Sequence, residues 1–283
     1  MKKTFALQKD FLFLLPSLLG VSVFVFLPFG DVVRRSFTSL DASRFTGFEN
    51  YRAIWDNTAF RLAMGNTLKF LSISIPLLLA VSLLLANMVH FGRHSICTWY
   101  KKFCLLPMAV PTASLVFVWN MLFHRFGILN SILNLSTDWL HSSLAFAVLT
   151  LSFLWKNTGY YVILWLTGLQ GIPKSLYEAA ALDGAGPLAR FRYITLPGLK
   201  PMASAVLILA LTGAFRSYRE IYLLSGEYPN KSIYMIQHMF HNWFRDMAME
   251  KMSAAAVVIV CIFAVLVYPF RKKGGGNFDS LNT

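Results

Sequence analysis

Charged residues are scarce in this sequence. Only 14% of its 283 residues are Asp, Glu, Lys or Arg, whereas 56% are hydrophobic. A soluble domain normally carries about a quarter charged residues. The net charge of +13 does not indicate a nucleic-acid binder, because the basic residues stand in short clusters between apolar runs and no long hydrophilic domain is present. The composition therefore predicts an integral membrane protein.

Chemically reactive residue patterns are also missing. The three cysteines, Cys97, Cys104 and Cys261, show neither a disulfide framework nor a CxxC or CxxH spacing, and we interpret them as small hydrophobic filler. The histidines are dispersed; His238 and His241 fit one helix face, but no third ligand accompanies them. We therefore expect no catalytic residue, no metal site and no cofactor bound by this chain, which argues against a membrane-embedded enzyme.

Long apolar runs are abundant instead. A spanning helix needs roughly 20 mostly apolar residues, since a bilayer cannot satisfy a free backbone. Six segments qualify, at approximately 11–29, 67–89, 103–123, 144–166, 201–224 and 252–270. The first is longer than the ~7–15-residue core of a signal peptide and lacks a clear A-x-A site, so we interpret it as a retained span. The prediction is an all-α integral membrane protein with six transmembrane helices, forming a single transmembrane domain over 1–283.

The distribution of basic residues predicts the orientation of these spans. An even number of spans places both termini on one side, and the positive-inside rule makes that side the cytoplasm. The inner segments are then 1–10, 90–102, 167–200 and 271–283. The contrast is clearest between 90–102, whose charges are all basic, and the nearly uncharged outer connection 124–143. That outer connection has apolar residues at helical spacing, which fits either an amphipathic interfacial helix or a loop containing a short helix.

The inner segment 167–200 has readable local structure. Ser175 and Glu178 are spaced as a capping box, and the alanines that follow favour a helix. Gly184 is placed to stop that helix in a left-handed conformation, and Pro187 to open a second short helix. The expected product is a short helix of small residues outside the bilayer, which suits docking of another surface. A structured cytoplasmic loop without a partner is the alternative.

Several motifs in the sequence carry a family resemblance. In the inner segment these are Glu178-Ala179-Ala180, Asp183-Gly184-Ala185, Phe191, Ile194, Leu196-Pro197 and Pro201. They resemble the cytoplasmic signature loop of binding-protein-dependent ABC importer permeases. Further stretches resemble the carbohydrate branch of that family, the larger-partner permease of maltose and glycerol-3-phosphate type: "GFENY" (47–51), "NTLKF" (66–70), "LLPMAVPTASLVFVWNMLF" (105–123), "FGILNSIL" (126–133) and "GLQGIP" (168–173). The sequence departs from the family after the fifth span, where "SGEYP" (225–229) stands in place of a Gly-Gly-Pro turn.

The resemblance implies a mechanism and a set of partners. The chain would be a non-catalytic permease subunit that imports a carbohydrate, such as an oligosaccharide, by alternating access between two packings. A cytoplasmic coupling helix between spans four and five would insert into a separate ATPase, through Glu178, Ala179, Ala180, Asp183 and Gly184. ATP and Mg would be bound by that ATPase, and indeed this chain has no GxxxxGK[ST] phosphate loop.

The expected partners follow from the same resemblance. They are a second homologous permease subunit, an ATPase dimer, an extracellular or periplasmic sugar-binding protein and membrane lipid, with no nucleic acid. The location would be a bacterial or archaeal cytoplasmic (inner) membrane, as a multi-pass protein. The alternatives are an ion-coupled secondary carrier, and an ABC permease for a non-sugar such as a sugar phosphate. Against a secondary carrier, the sequence shows no evident inverted repeat and few acids within its spans.

Polar residues within spans are costly and are candidates for function. Phe153, Asn157 and Tyr160 share one face of the fourth span. Sugars are bound by aromatic stacking and by side chains that both donate and accept hydrogen bonds. We therefore predict these three as substrate-binding residues. The resemblance implies that the fourth and fifth spans line the translocation path.

The fifth span supplies the other predicted substrate-binding residues. Gly213, Ser217 and Glu220 share a face there. Structural roles remain open beside this one: Arg216, Arg219 and Glu220 could pair with one another. Structural roles are also open for three other residues. Lys156 could snorkel or bind an acid of the partner permease, and Asn120 and Asn157 could form hydrogen bonds between helices.

Overall fold

The computed structural model describes residues 13–41, 43–92, 99–100 and 102–274, with side chains up to Tyr268. Within these ranges the secondary structure is helical, apart from one isolated antiparallel bridge between Thr38 and Phe45. The predicted all-α class is therefore confirmed for the described residues. The predicted inner segment 1–10, the start of the first span, most of 90–102 and Cys97 lie outside them.

The named helices of the described chain are numbered here in chain order. They are α1 (Phe13–Ser36), α2 (Glu49–Asp56), α3 (Thr58–Phe91), α4 (Thr112–Phe123), α5 (Ile128–Leu133), α6 (Ala145–Gln170), α7 (Lys174–Leu182), α8 (Lys200–Arg216), α9 (Tyr218–Ser225), α10 (Ile236–Arg245) and α11 (Met249–Gly274). Two shorter pieces are a turn at Leu106–Ala109 and the segment 187–198, which has a π-helical middle at Phe191–Thr195.

Five stretches of the described chain are long and apolar enough to cross a membrane. They are Phe13–Ser36, Thr58–Phe91, Thr112–Leu133, Lys200–Ser225 and Met249–Tyr268. Helix α6 has 26 residues, or about 39 Å at 1.5 Å per residue, which exceeds the roughly 30 Å hydrocarbon core. It is absent from the five because Lys156 and Asn157 interrupt its apolar sequence at mid-length.

The helix bounds differ from the predicted spans at several points. Helix α3 begins nine residues before the predicted 67–89, because the side chain of Asn57 accepts the N–H of Phe60 at 3.1 Å and caps the earlier start. The predicted continuous helix 103–123 is wrong. It breaks at Val110, which is extended (ψ 130°), because Pro111 disfavours a helical conformation in the residue before it.

The connection 124–143 contains one short helix, α5, followed by an irregular segment. Asn130, at 4% exposure, organises this segment. Its side-chain amide donates to the carbonyls of Arg125 (2.8 Å) and Thr137 (2.7 Å), and its Oδ1 accepts from Trp139 Nε1 (2.7 Å). Of the two alternatives for this connection, the prediction of a loop with a short helix is therefore confirmed, and the connection does not form a long amphipathic helix.

The described residues divide into two compact units. One comprises the described residues up to Arg61 together with 239–264; in it the Phe60 ring stacks on Trp243 at 5.9 Å and meets Trp55 edge-on at 5.5 Å. The other comprises the described residues between Leu62 and His238 and those from Val265 onward. Its core includes a cluster of buried apolar side chains from α4, the following loop and α6, namely Leu115, Trp119, Phe123, Leu140 and Val148.

Candidate functional site

Helix α7 begins one residue before the predicted capping box. Its first residue is Lys174 and its N-cap is Pro173, with no side-chain cap hydrogen bond. The predicted Ser175–Glu178 capping box is therefore wrong. Pro173 is extended (φ −59°, ψ 131°), and its carbonyl accepts the N–H of Leu176 at 3.2 Å, so the proline itself sets the helix start.

The end of α7 is the predicted glycine stop. Gly184 has φ +76°, a left-handed conformation. The N–H of Ala185 donates to Ala180 O at 2.8 Å, and the N–H of Gly184 donates to Ala181 O at 3.1 Å. These two bonds form a Schellman motif, which satisfies carbonyls that the helix end would otherwise leave free. The prediction for Gly184 is confirmed, as is the helical start at Pro187.

One side of α7 is held by its neighbours. The hydroxyls of Tyr177 and Thr195 share a hydrogen bond of 3.0 Å, and the Tyr177 ring meets Phe91 at the end of α3 edge-on at 5.2 Å. These contacts tie α7 to α3 and to the segment 187–198. A side chain at the centre of the helix therefore fixes its position.

The other side of α7 is exposed. Glu178, Ala179, Asp183 and Gly184 are exposed and Ala180 is half-buried. Leu182, at 90% exposure, stands beside them, and the nearby Leu188 is 79% exposed. A rigid helix that presents small residues, two carboxylates and uncovered leucines is suited to insertion into a complementary groove. The five predicted coupling residues therefore lie together on one short helix and its stop.

A charged pair lies between α6 and α9. Lys156 Nζ donates to Glu220 Oε1 at 2.5 Å, and the two side chains are 17% and 12% exposed. Thr112 Oγ1 is a second, longer contact of Lys156, at 3.4 Å. Lys156 thus finds an acid within its own chain, and Glu220 pairs with this lysine where the sequence suggested Arg216 and Arg219. The two residues of this pair are 64 positions apart in the sequence, and α6 and α9 bring their side chains together.

The predicted fifth span is broken at Ser217. The N–H of Ser217 bonds to Ala214 O at 3.2 Å and the N–H of Glu220 bonds to Ser217 O at 3.2 Å, so the helical ladder tightens there. Gln237 Nε2 donates to Phe215 O at 2.8 Å, a carbonyl at the break. Nothing local in the sequence predicts this contribution of Gln237, because its partner carbonyl lies 22 residues away.

The predicted substrate residues of α6 occupy different environments. Phe153 is 1% exposed and meets the Phe70 ring at 5.4 Å. Asn157 Nδ2 donates to Phe153 O at 2.8 Å, within its own helix. Tyr160 is half-buried, with its ring 5.3 Å from that of Tyr161.

Two of the three predicted residues of the fifth span, Gly213 and Glu220, lie close to α6. A methyl group at Gly213 would approach the Tyr161 hydroxyl to 3.2 Å, so α8 passes near α6 at this glycine. Ser217 is buried at the break, and Glu220 follows it in the first turn of α9. The structure thus brings Gly213 and Glu220 against α6, and Ser217 is buried between them in the sequence. Their role in substrate binding stays a prediction.

Sequence comparison finds a family match and several relatives. Residues 81–271 match the family described as binding-protein-dependent transport system inner membrane component. The sulfoquinovosyl glycerol transport system permease protein SmoG of Agrobacterium fabrum is 34% identical, over 93% of this chain and 90% of the relative. The trehalose/maltose transport system permease protein MalF of Thermococcus litoralis is 33% identical, over 83% and 82%. The sn-glycerol-3-phosphate transport system permease protein UgpA of Yersinia enterocolitica is 31% identical, over 92% of each.

Solved structures share the fold. A chain of a bacterial ABC transporter involved in the import of the acidic polysaccharide alginate matches with a TM-score of 0.81. The match covers 97% of this chain and 98% of that chain, at 20% identity. The same kind of transporter in complex with its alginate pentasaccharide-bound periplasmic protein matches with a TM-score of 0.78.

Proposed function

We propose that this chain imports a carbohydrate as part of an ATP-driven complex. The premise is its family: the chain belongs to the inner membrane components of binding-protein-dependent transport systems. It is the non-catalytic permease subunit of that complex. A separate ATPase dimer binds ATP and Mg, a second homologous permease completes the pathway, and an external sugar-binding protein delivers the substrate.

The observation that supports this proposal most strongly is the exposed helix α7. It follows α6 directly and precedes α8, is anchored on one side through Tyr177, and ends in a rigid glycine stop at Gly184. Force applied to such an element moves the helices to which it is tied, because a short capped helix does not bend. We assign α7 as the coupling helix that enters the ATPase, in line with the signature motif Glu178–Gly184.

Six spans and cytoplasmic termini complete the proposed topology. Five stretches meet the length and hydropathy of a span, and we assign α6 as the remaining one, fourth in order. Its Lys156 is compatible with membrane depth because Glu220 neutralises it at hydrogen-bond distance. With six spans, both termini and α7 lie on the cytoplasmic side.

Carbohydrate is the substrate class that the relatives support. Transport systems named for a sulfoquinovosyl glycerol and for trehalose and maltose are among them, beside one named for sn-glycerol-3-phosphate. The predicted contacts are Phe153, Asn157 and Tyr160 on α6, with Gly213, Ser217 and Glu220 on α8–α9. An oligosaccharide fits the aromatic and polar character of this set.

A charge reversal on α7 tests the proposal. Glu178→Lys, in the complex assembled with its ATPase, second permease and binding protein, should reduce substrate-stimulated ATP turnover at least tenfold, while the chain still inserts. The matched control is Glu49→Lys, the same reversal on an exposed residue of α2, which should leave turnover near wild type. Normal turnover in the Glu178 variant, or an equal loss in both, would overturn the coupling role.

A further inference from the structure

A cavity of about 270 Å³ lies behind α7, on the side opposite its exposed face. Its walls come from the end of α3, from α7 and from the segment 187–198, and include Asn87, Phe91, Tyr177, Arg190 and Thr195. The cavity therefore adjoins the contacts that hold the proposed coupling helix in place.

Two polar atoms of this cavity are buried without a hydrogen-bond partner, Asn87 Oδ1 and Arg190 Nε. Oδ1 is an acceptor that needs a donor, and Nε–H is a cationic donor that needs an acceptor, by preference an anionic one. The residues lining the cavity include no carboxylate. Leaving such groups unsatisfied is costly, so the cavity is chemically suited to a molecule that carries both an anionic oxygen and a hydroxyl.

An apolar groove of about 590 Å³ shares three residues with the cavity, Asn87, Pro187 and Phe191. From there it extends along α3 past Leu84, Leu83 and Ala80, with Leu188 and Leu196 on its other wall. The polar residues are thus at one end of a surface that is otherwise hydrocarbon. A soluble phosphate ester would use the polar end and leave the groove empty, whereas a phospholipid would fill both.

We propose that the cavity and groove form a binding site for one anionic phospholipid with a hydroxyl-bearing head group, of the phosphatidylglycerol class. The lipid phosphate accepts from Arg190, a head-group hydroxyl donates to Asn87 Oδ1, and an acyl chain lies along Ala80 and Leu84. The assignment rests on the proposed topology, which places this end of α3 at the inner leaflet, where anionic lipids meet basic pockets between helices.

The position of the site gives it a regulatory consequence. Tyr177 lines the cavity and also anchors α7 through Thr195 and Phe91. A bound head group bridges α3 and the segment 187–198 beside that anchor. The inner-leaflet lipid therefore adds to the stiffness with which α7 is held, and its depletion weakens the connection through which the coupling helix moves the spans.

Lipid retention by the purified full chain tests the site without any ATPase. The chain is placed in nanodiscs of phosphatidylcholine containing a small fraction of phosphatidylglycerol, and retained lipids are counted by native mass spectrometry. Arg190→Gln should lower the apparent affinity for phosphatidylglycerol by about tenfold or more, the scale of a lost charged hydrogen bond. Arg192→Gln is the matched control, since Arg192 is exposed on the same segment and lies outside the cavity; it should retain the lipid as wild type does.

A second variant and two competing probes complete the design. Ala80→Trp fills the groove and leaves Arg190 intact, so it should also reduce retention severalfold. Equal retention by wild type, Arg190→Gln and Ala80→Trp would overturn the site. So would equal retention of phosphatidylethanolamine, or displacement of the lipid by millimolar glycerol phosphate, which would indicate a soluble phosphate ester. Because ATP turnover is not measured here, failure of this site and failure of the transport function are separate results.

Discussion

Lys156 and Glu220 form a largely buried charged pair between α6 and α9, and each depends on the other for its place there. Removing one member leaves an uncompensated charge in a poorly solvated position, whereas replacing both with apolar residues leaves none. The pair is therefore expected to affect stability in a strongly non-additive way.

The first prediction follows from this pair. Lys156→Met should reduce the free energy of unfolding of the purified chain by roughly 3 kcal/mol, in the range for breaking a buried ion pair. The double variant Lys156→Met/Glu220→Leu should recover most of that loss. Chemical denaturation in one detergent measures both. Additive losses in the double variant would show that the two side chains act independently.

Glycine at 159 marks a close approach of two backbones. A methyl group there would overlap the carbonyl oxygen of Cys104, and a backbone atom cannot move away as a side chain can. The glycine is thus required by the packing of α6 against the residues before α4, in the middle of a helix where it otherwise lowers helix propensity.

The second prediction compares two helical glycines. Gly159→Ala should destabilise the chain by several kcal/mol or prevent its folding, as overpacking against a rigid neighbour does. Gly65→Ala, on the exposed side of α3 with nothing within 4 Å, should be neutral or stabilising by up to about 1 kcal/mol. Thermal unfolding of the two variants in the same detergent decides the matter. Equal stability of the two would mean that α6 and Cys104 do not approach as described.

At the scale of single elements, α7 depends on its stop more than on its start. The start is set by Pro173, while the stop needs a left-handed residue at 184, and a side chain in that conformation costs about 1–2 kcal/mol. Gly186, two residues on, has φ −69° and open space around it, so it carries no such requirement.

The third prediction uses these two glycines as a matched pair. Gly184→Ala should accelerate hydrogen exchange of the backbone amides at positions 184 and 185 by roughly tenfold. The reason is that the Schellman hydrogen bonds from these two amides to Ala181 O and Ala180 O weaken. The same substitution should also lower coupled ATP turnover in the assembled complex. Gly186→Ala should change neither quantity. Indistinguishable exchange in the two variants would show that the stop at residue 184 is not strained by a side chain.

Local chemistry explains which elements could be predicted. Gly184 and Pro187 act through backbone conformations that depend on their own residue type, so their roles could be read directly from the sequence. The sequence does not distinguish Pro173 from Ser175 as the start of α7, because both residue types favour the first positions of a helix. The break at Ser217 could not be predicted, because Gln237 supplies the bond to Phe215 O from a distant part of the chain.

At the scale of the whole molecule, hydropathy predicts where the long apolar helices lie, but it predicts their interruptions poorly. Five stretches meet the criteria of length and composition. The remaining helix, α6, holds Lys156, and its assignment as a span depends on Glu220, which lies 64 residues further along the chain. The break at Pro111 shows the same limit, since a proline within an apolar run leaves the hydropathy almost unchanged while it ends a helix.

The candidate sites divide in the same way. The proposed coupling residues lie within the short stretch Glu178–Gly184, so their sequence motif also defines their geometry. The predicted substrate residues come from α6 and from α8–α9, and their relation depends on packing; Phe153 and Asn157, for example, share a helix face but contact Phe70 and a helix carbonyl. The sequence therefore predicts the proposed coupling site more readily than it predicts the residues that bind the substrate.

The central claim is that this chain is a permease driven through α7 by a separate ATPase. Substrate uptake by reconstituted proteoliposomes tests this claim most directly. Labelled substrate and the binding protein are added outside, with ATP inside, to vesicles that contain the assembled complex. The account predicts uptake that needs both ATP and the ATPase subunits, and that Glu178→Lys reduces at least tenfold. Uptake by this chain alone, driven by an ion gradient without ATP, would contradict it.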